Sequence, residues 1–344
     1  MHSEAGRPLR KRPQSGAGRE SRREATIRPP ARGGLHPVRV PTPKSGPLSH
    51  VLENRYPTLG TDVIAEIFAA KNVVDFRGRS LDPNTDAAEV PQGVWIYRPI
   101  PDDPTTPIEV EVLAEGDGWI AADKPAGLAT MPRGRFVARS LTVALRRQQQ
   151  NDDIVCAHRL DRATAGVVLA VTDPAKRGAY QQLFERGKVA KKYLAVASAN
   201  LDTQGPLQVS TGEDDSGPFI RVQSRIEKSG IRMKNVVGEP NSETILRPAS
   251  PEFTFEGVVG LRVWEVEPIT GRTHQIRVHF AGLGAPIVGD PLYGGALAGP
   301  YGVDEVPDGA IDLQLLAASL RFPDPFSSEL VEVHSRQRLV ADRR

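Results

Sequence analysis

The sequence predicts an α+β protein built around a mixed, largely antiparallel central sheet that is flanked by helices and loops. Short apolar runs rich in β-branched residues, such as residues 166–173 and 260–268, have the length and composition of strands. Helical patterns separate only some of these runs, so the regular strand–helix alternation of a parallel sheet is missing. No glycine-rich fingerprint of a nucleotide-binding fold joins a strand to a helix, which also argues against a doubly wound parallel sheet.

The charge of the chain is unevenly distributed. Its 344 residues are enough for one large domain or two ordinary ones, with a net charge of +2. Residues 1–50 contain eleven Lys and Arg against three Glu, a surplus of eight positive charges, so the remaining residues have a net charge of about −6. A basic segment of this kind is typical of attraction to nucleic acid or acidic membrane surfaces, and equally of a merely solvated leader.

Cysteine usage and hydropathy indicate the compartment. One cysteine, Cys156, excludes an intrachain disulfide framework and is typical of a reducing environment, so we expect a cytoplasmic protein. No stretch of roughly 18 apolar residues is present, and the first residues lack the apolar core of a secretory signal. We therefore expect no association with a membrane.

Changes in composition divide the chain into four segments. Residues 1–47 are rich in Arg, Pro, Gly and Ser and cannot bury enough apolar surface to offset their ordering entropy, which predicts a disordered tail. Residues 48–105 form a small accessory region that ends in a stiff proline-rich linker. Residues 106–335 form the large domain, and residues 336–344 a C-terminal tail.

The first elements show clear local signals. A helical pattern over residues 61–75, followed by turn residues and an apolar run, dominates the accessory region. The large domain opens with a strand over residues 118–124, which ends because Pro125 and Gly127 prevent it from continuing. Residues 140–150 follow with helical spacing and residues that favour helices.

The later elements alternate less regularly. The apolar, β-branched run of residues 166–173 is typical of a strand at the centre of a sheet. The next pattern is a helix, with Pro174 in its first turn and Gly187 at its end. Residues 203–251 are rich in Gly, Asp, Ser and Pro, which predicts loops and short strands. Further core elements are predicted over residues 191–198, 260–268 and 313–325.

Residue spacing does not support a metal or phosphate site. Cys156, His158, His274 and His279 lie in two clusters without a Cys pair or a His-x-x-x-His spacing, and the last two histidines would lie on opposite faces of a strand. The glycines of residues 282–299 lack the Lys-Ser/Thr pair of a phosphate loop. No Gly-x-Ser-x-Gly elbow is present, which argues against acyl transfer by a serine nucleophile.

The densest charged motif is His-Arg-Leu-Asp-Arg at residues 158–162, just before the apolar run. A carboxylate that acts as a base or nucleophile must stay ionised while sheltered from water, and a neighbouring arginine can compensate for its burial. Asp161 could be such a carboxylate, although the motif alone is also typical of a structural ion pair at a surface turn. The candidates for its partner are Arg159, Arg162, Arg272 and Arg277.

Four separated motifs together resemble the RluA-type family of pseudouridine synthases. In the family's order they are DKPAGLATMP at residues 123–132, HRLDRATAG at 158–166, KKYLAV at 191–196 and TGRTHQIRVHFAGLGAPIVGDPLYG at 270–294. They anchor roughly residues 108–322. The resemblance implies the pseudouridine synthase fold and an isomerase that converts uridine to pseudouridine within RNA, with no metal and no organic cofactor.

The resemblance also implies roles for individual residues. Asp161 matches the family's catalytic carboxylate, Arg277 the arginine that pairs with it, and Tyr193 the tyrosine that stacks on the target base. Arg159 matches the arginine that helps to displace the flipped nucleotide from its stem. The other residues that we expect to bind the substrate are His158, Arg162, Thr164, Arg272, His274 and Gln275.

The chain departs from the family pattern directly after the catalytic motif. The family usually has Thr-Ser-Gly, whereas this chain has Ala165 between Thr164 and Gly166, so a hydroxyl is lost. We expect the geometry of the aspartate to survive, because the flanking residues are retained and Ala is small. The accessory region is a poor match to the RNA-binding accessory domain that many members have.

The implied partner is RNA, with ribosomal RNA as the family's commonest substrate and transfer RNA as the alternative, and we expect a monomer. Asp161 would either attack the anomeric carbon or remove the ribose 2′ proton to give a glycal. An RNA-binding or ribosome-assembly protein fits less well, because it would not need Asp161, Tyr193 and Arg277 together. A nucleoside hydrolase or base-excising glycosidase usually needs a second carboxylate or a metal to activate water, and no second acidic motif stands out.

Overall fold

The structure is a computed structural model that describes residues 28–98, 106–133, 136–255, 257–294 and 312–339. The chain divides into two compact units, residues 1–101 and 102–344. Residues 1–27, which belong to the predicted tail, lie outside the described residues. In the described part of the chain, no helix is long and apolar enough to cross a membrane.

The first unit contains a small antiparallel sheet and two helices in its described part. The strands are β1 (Val38–Val40), β2 (Val73–Val74) and β3 (Val94–Ile96), in the order β1-β3-β2, and the helices are α1 (Leu48–Arg55) and α2 (Thr61–Ala69). Leu52, Ile64 and Ile96 from these elements share one buried core. The predicted helix over residues 61–75 ends early, because Lys71 adopts a left-handed φ of 56° and leads the chain into β2.

The prediction of a disordered tail is wrong for its described part, residues 28–47. Val38 and Val40 pair with Ile96 and Val94 of β3, and Val40 is 1% exposed. The segment has few apolar residues, but one of them, Val40, belongs to a core whose other fully buried members, Leu48 to Ile96, lie 8 to 56 positions further along the chain. Composition within a window reports only the surface that the window itself can bury, so it did not reveal this contribution.

The described strands of the second unit form one 13-stranded sheet. They are β4 (Glu111–Gly116), β5 (Trp119–Lys124), β6 (Val155–Cys156), β7 (Ala165–Val171), β8 (Ala190–Ser198), β9 (Gln208–Asp214), β10 (Gly217–Ser229), β11 (Arg232–Val236), β12 (Ser242–Pro248), β13 (Phe253–Phe255), β14 (Val258–Pro268), β15 (Leu315–Pro323) and β16 (Leu330–His334). The main path runs β11-β10-β12-β14-β8-β15-β7-β5-β4, and the pairing of β7 with β15 is the parallel one among otherwise antiparallel pairs. The predicted α+β class with a mixed, largely antiparallel sheet is confirmed.

Three helices lie beside this sheet in the described residues. They are α3 (Leu141–Gln148), α4 (Arg177–Glu185) and α5 (Gln275–Gly282). The first two correspond to the predicted helices, with a single 3₁₀ turn at Pro174–Lys176 before α4. The third lies where His274 and His279 were considered as strand residues, so their predicted placement on opposite faces of a strand is wrong. His274 instead immediately precedes α5 and His279 lies within it.

Residues 203–251 are the largest departure from the predicted elements, because they contain four strands, one of them 13 residues long. Burial alternates along this part of the sheet, as in β12, where Ser242, Thr244 and Leu246 are buried and the residues between them are partly exposed. An antiparallel sheet with one solvated face accommodates charged residues at every second position. The polar composition that indicated loops therefore belongs to the exposed face of a sheet.

The predicted C-terminal tail begins too early. The backbone N–H of Arg336 donates to Asp123 Oδ2 at 2.8 Å, and the Gln337 side chain donates to the carbonyl of Lys124 at 2.9 Å. Leu339 is 5% exposed. Residues 336–339 thus belong to the core of the second unit, while residues 340–344 lie outside the described residues.

Two small residues, Ala165 and Gly166, stand at the start of β7. Gly166 has a φ of 114°, and a Cβ atom on it would lie 2.2 Å from the carbonyl oxygen of Ala317 in β15. Ala165, where the family usually has Ser, packs against an apolar cluster that includes Val196 and Leu316. The methyl group suits these apolar surroundings, and the chain still enters the sheet directly after the loop that carries Asp161.

Candidate active site

A cavity of about 900 Å³ opens beside the start of β7. Its lining comes from the loop before β7, from α4 and β8, and from the segment between β14 and α5. The predicted site residues that line it are His158, Arg159, Asp161, Thr164, Tyr193, Arg272, His274, Gln275 and Arg277. Arg162 is not among them, because its guanidinium lies 4.9 Å from the ring centre of Phe136. The structure therefore brings together nine of the ten predicted residues.

The loop that carries Asp161 is anchored by the segment that follows β5. The hydroxyl of Thr130 donates to the carbonyl of Leu160 at 2.7 Å and accepts from its N–H at 3.1 Å. The N–H of Gly127 donates to the carbonyl of Arg162 at 2.9 Å. The backbone on both sides of Asp161 is thus held by residues about 30 positions earlier in the chain.

Lys124 provides a second anchor for the same loop. Its side chain is fully buried, and Nζ donates to the carbonyls of Pro125, Leu128 and Arg162 at 2.9, 2.8 and 3.0 Å. Burial lowers the pKa of Lys124 to about 7, although the charge of Asp161 opposes this shift. Through these three hydrogen bonds, Nζ connects the turn after β5 to the loop that carries Asp161.

Arg277 connects two carboxylates inside the protein. Its Nε and Nη2 atoms donate to Asp290 at 2.8 and 2.7 Å, and Nη1 donates to Asp161 Oδ2 at 3.3 Å. Arg277 is 3% exposed and Asp290 is completely buried. Burial alone would lower the pKa of Arg277, but the hydrogen bonds and charges of Asp290, together with Asp161, raise it overall. The guanidinium therefore stays charged, with Asp290 orienting it toward Asp161.

Asp161 keeps one oxygen available to a ligand. Oδ2 accepts the hydrogen bond from Arg277, whereas Oδ1 faces Nε2 of His274 at 3.8 Å, which is too long for a hydrogen bond. Within the described residues no hydrogen bond reaches Oδ1. An ionised carboxylate held on one side and open on the other can act on a bound group as a nucleophile or as a base.

Tyr193 of β8 forms part of the wall of the cavity. Its ring is partly buried and packs against two of the apolar clusters that lie on the sheet. Burial and the charge of Asp161 raise the pKa of Tyr193, so the phenol remains protonated at neutral pH. A neutral aromatic ring near a carboxylate can support a flat ligand by stacking.

Two predicted substrate-binding residues already have partners within the protein. His158 stacks on Phe184, accepts a hydrogen bond at Nε2 from the N–H of Leu169, and has its pKa lowered to about 3 by burial and by Lys191. Gln275 uses its whole amide, because Oε1 accepts from Thr270 and from the N–H of Arg272, while Nε2 donates to Glu243 and Thr244. Both residues shape the walls of the cavity by holding their neighbours in place.

The cations at the mouth of the cavity are more accessible. Arg159 and Arg272 are exposed, and Lys188 and Lys191 also line the opening. Two acidic side chains that the sequence analysis did not single out, Glu185 and Glu267, line the same cavity. This arrangement offers positive charge to a phosphate backbone around a pocket that contains the carboxylate.

His279 is part of a buried hydroxyl network. Its Nε2 lies 2.9 Å from Ser224 Oγ and 3.1 Å from Ser242 Oγ, and its Nδ1 lies 2.9 Å from Thr244 Oγ1. Burial lowers the pKa of His279 to about 4. Among the residues that the structure describes, no group of three His, Cys, Asp or Glu side chains is arranged to bind a metal ion.

Sequence reasoning assigned no role to several residues that build the site. Lys124, Thr130, Asp290 and Tyr293 all lie within the quoted motifs, but their partners are distant in sequence. The available signal was the presence of a charged residue within an apolar stretch, as for Asp290 in residues 285–292. Such a residue is retained in a core only with a partner, although the pattern does not name that partner.

The chain is similar in sequence to known RNA pseudouridine synthases. A family model described as RNA pseudouridylate synthase matches residues 118–282. The dual-specificity RNA pseudouridine synthase RluA of Vibrio parahaemolyticus is 32% identical over 197 residues, which cover 57% of this chain and 72% of that protein. The ribosomal large subunit pseudouridine synthase D of Xanthomonas campestris is 37% identical over 203 residues, which cover 58% of this chain and 56% of that protein.

Further relatives are similar to the chain over part of their own length. Human pseudouridylate synthase RPUSD2 is 30% identical over 198 residues, 57% of this chain but 33% of that protein. The chain thus spans about one third to three fifths of the length of several curated relatives. The solved structure of human RNA Pseudouridylate Synthase Domain Containing 1 superposes with a TM-score of 0.50 at 23% identity, covering 68% of this chain and 86% of that one, which supports the same fold.

Proposed function

The chain belongs to the RluA-type family of RNA pseudouridine synthases, and on this premise we propose that it converts uridine to pseudouridine within RNA, with Asp161 as the catalytic carboxylate. The observation that carries the proposal is the position of Asp161 in the cavity, bonded through one oxygen to Arg277 and open at the other. A purely structural ion pair would not need to face a cavity of about 900 Å³.

The proposed reaction is an isomerisation. The bond between C1′ of the ribose and N1 of the base breaks, the base turns within the pocket, and C5 bonds to C1′. The C5 proton is lost and N1 gains a proton, so atoms and electrons balance without a co-substrate. Oδ1 of Asp161 would either attack C1′ or remove the proton from C2′ to give a glycal, and the open position of this oxygen supports both routes.

Other residues of the cavity would bind and orient the nucleotide. A uridine inside folded RNA must leave its stack, which costs a few kcal/mol. Arg159 is exposed at the mouth of the cavity and would occupy the place that the base vacates, while the Tyr193 ring would support the extruded base. Arg272 and Lys188 would contact the flanking phosphates.

We propose ribosomal RNA as the first candidate substrate and transfer RNA as the second, modified by a monomeric protein in the cytoplasm. The name of one relative, ribosomal large subunit pseudouridine synthase D, supports ribosomal RNA as the first candidate. Pseudouridine mapping across total RNA from cells with and without the gene, and with the gene restored as Asp161→Asn, tests the function. A site lost on deletion and recovered only with the wild-type gene supports it, whereas an unchanged map, or release of free uracil from RNA by the purified protein, contradicts it.

A further prediction concerns the basic N-terminal residues. Because Val38 and Val40 pair with β3, residues 28–47 are kept and the segment to remove is residues 1–27, which contain seven Lys and Arg and three Glu. Removal should weaken RNA affinity at low salt and reduce the slope of log Kd against log salt by up to about three to four, since fewer counterions are released. The kcat at saturating RNA should not change. Binding titrations across a salt series check this, and superimposable curves would show that the segment does not contact RNA.

A further inference from the structure

A chain of three polar contacts ends at the open oxygen of Asp161. The N–H of Met233 in β11 donates to the phenol oxygen of Tyr293 at 2.8 Å. That phenol oxygen lies 2.9 Å from Nδ1 of His274, and Nε2 of His274 lies 3.8 Å from Asp161 Oδ1. The roles assigned above leave Tyr293 without a function, although it is the residue that contacts His274 on the side opposite the carboxylate.

The donors and acceptors of this chain favour one position for the histidine proton. A backbone N–H can only donate, so the phenol oxygen of Tyr293 accepts from Met233. Among the described residues, Nδ1 of His274 is the acceptor within reach of the phenol proton. A ring nitrogen that accepts a hydrogen bond carries no proton, so in the neutral imidazole the proton lies on Nε2, toward Asp161.

The backbone of His274 supports the same interpretation. His274 adopts a left-handed conformation, with φ of 54° and ψ of 18°, directly before the first residue of α5. A non-glycine residue in this region costs on the order of 1 kcal/mol, and it persists only where surrounding contacts require it. In this conformation the ring reaches Tyr293 with one nitrogen and faces Asp161 with the other.

The charges around His274 oppose each other. Burial lowers the pKa of His274 below its ordinary value, and the positive charges of Arg277 and Arg159 act in the same direction. The carboxylates of Asp161 and Asp290 act against this shift. The hydrogen bond from Tyr293 favours the neutral ring, because a protonated Nδ1 cannot accept it.

We propose that Tyr293 is a positioning residue that holds His274 as a neutral imidazole with its proton on Nε2, directed at Oδ1 of Asp161. Its catalytic consequence rests on the proposed function, whereas the protonation state itself can be measured without turnover. An imidazolium would form an ion pair with the one oxygen of Asp161 that Arg277 leaves open. A neutral N–H can orient this oxygen, or a ribose hydroxyl beside it, without cancelling the negative charge that the reaction uses.

The protonation state can be tested by NMR on the full-length protein labelled with ¹⁵N-histidine. Ring-nitrogen shifts report which nitrogen carries the proton, and the signals of His274 are assigned by their loss in His274→Gln. We expect the Nε2–H form in the wild type at neutral pH. In Tyr293→Phe the titration midpoint of His274 should move to higher pH, and in Asp161→Asn to lower pH, because the first change removes a group that favours the neutral ring and the second removes a charge that favours the cation.

The catalytic consequence can be tested through the pH profile of kcat. Tyr293→Phe should lower kcat about tenfold at pH 6 but less than about threefold at pH 8, with KM for RNA unchanged. In the double variant Tyr293→Phe/His274→Gln, the glutamine amide can donate a hydrogen bond but cannot become a cation between pH 6 and 8. This variant should therefore not show the additional decrease of kcat at low pH, the acid limb, that Tyr293→Phe shows. Tyr97→Phe is the matched control, because it removes a phenol hydroxyl that donates to a backbone carbonyl in the first unit; its acid limb should coincide with that of the wild type.

The outcomes distinguish this inference from the proposed function. A proton on Nδ1, an imidazolium at pH 7, or an unchanged His274 midpoint in Tyr293→Phe overturns the inference, whatever the activity. A shifted midpoint with an unchanged pH profile overturns the catalytic part. If the wild type modifies no uridine in any RNA, the proposed function fails, while the titrations still decide the state of His274.

Discussion

Replacement of Asp161 by Asn is expected to reduce pseudouridine formation by on the order of 10⁴-fold or more, with the fold retained. The substitution keeps the size of the side chain and a carbonyl acceptor for Arg277, but it removes the charge that either proposed route requires. With the residues that the structure describes, the side chain makes a single hydrogen bond, at 3.3 Å, so little stability depends on it. Single-turnover assays on a confirmed RNA substrate give the rate, and thermal unfolding and RNA binding report the fold.

The matched control is Asp215→Asn, which makes the same chemical change at an exposed residue in the turn between β9 and β10. Its rate should equal that of the wild type. Turnover by Asp161→Asn within a factor of ten of the control would remove Asp161 from the catalytic role. An inactive and unfolded Asp161→Asn protein would show instead that the carboxylate is needed for structure.

Replacement of Arg277 by Met is expected to damage both stability and activity. The loss of the guanidinium leaves the fully buried Asp290 without its bidentate partner, which should lower the free energy of unfolding by about 3–5 kcal/mol. The same change frees Asp161 from its hydrogen bond and should lower kcat by about 10³-fold. Urea unfolding gives the first quantity, and kcat measured at a temperature where the variant is fully folded gives the second.

Two companion variants separate these effects. Asp290→Asn should also reduce stability, because it disrupts the same buried pair, but it leaves Arg277 in contact with Asp161 and should lower kcat far less. Arg247→Met removes an arginine that pairs with the half-exposed Asp214, so it should lower the free energy of unfolding much less than Arg277→Met and leave kcat at saturating RNA unchanged. Equal losses of kcat in Arg277→Met and Asp290→Asn would show that catalysis depends on the packing of the buried pair and not on the Arg277–Asp161 contact.

Local patterns in the sequence were sufficient to predict elements whose two faces are both buried. The run at residues 166–173 has no polar residue before Thr172, and it forms the fully buried central strand β7. Patterns failed where burial alternates or depends on distant residues. The polar residues of β9 to β12 cover the exposed face of a sheet, and Val40 completes a core formed by residues further along the chain. Composition within a short window cannot distinguish these cases from loops.

The residues of the candidate site divide in the same way, into those that a short motif reveals and those that depend on distant partners. Asp161, Arg277 and Tyr193 could be predicted because they lie in motifs that are recognisable as short strings. Their supports could not, since Lys124 contacts Arg162 across 38 positions and the phenol of Tyr293 accepts a hydrogen bond across 60. Arg162 illustrates the converse, because its position beside Asp161 in sequence suggested a place in the cavity, whereas its side chain stacks on Phe136. The side chains of adjacent residues in a loop point in different directions, so their order in the sequence does not show which of them line the cavity.

The parallel pairing of β7 with β15 has a consequence for synthesis of the protein on the ribosome. Ala165 pairs with Leu316, about 150 positions later, and the segment that holds Asp123 and Lys124 comes later still. At about 5–20 residues per second, the ribosome needs roughly 8–30 s to make this intervening chain. During that interval the start of β7, at Ala165 and Gly166, lacks its partner on one edge, although β6 already pairs with the end of β7 at Ala170 and Val171. Such an open stretch is a site for chaperones or for misassociation with other chains. The cavity, which Leu315 of β15 helps to line, is therefore complete only after β15 has emerged from the exit tunnel.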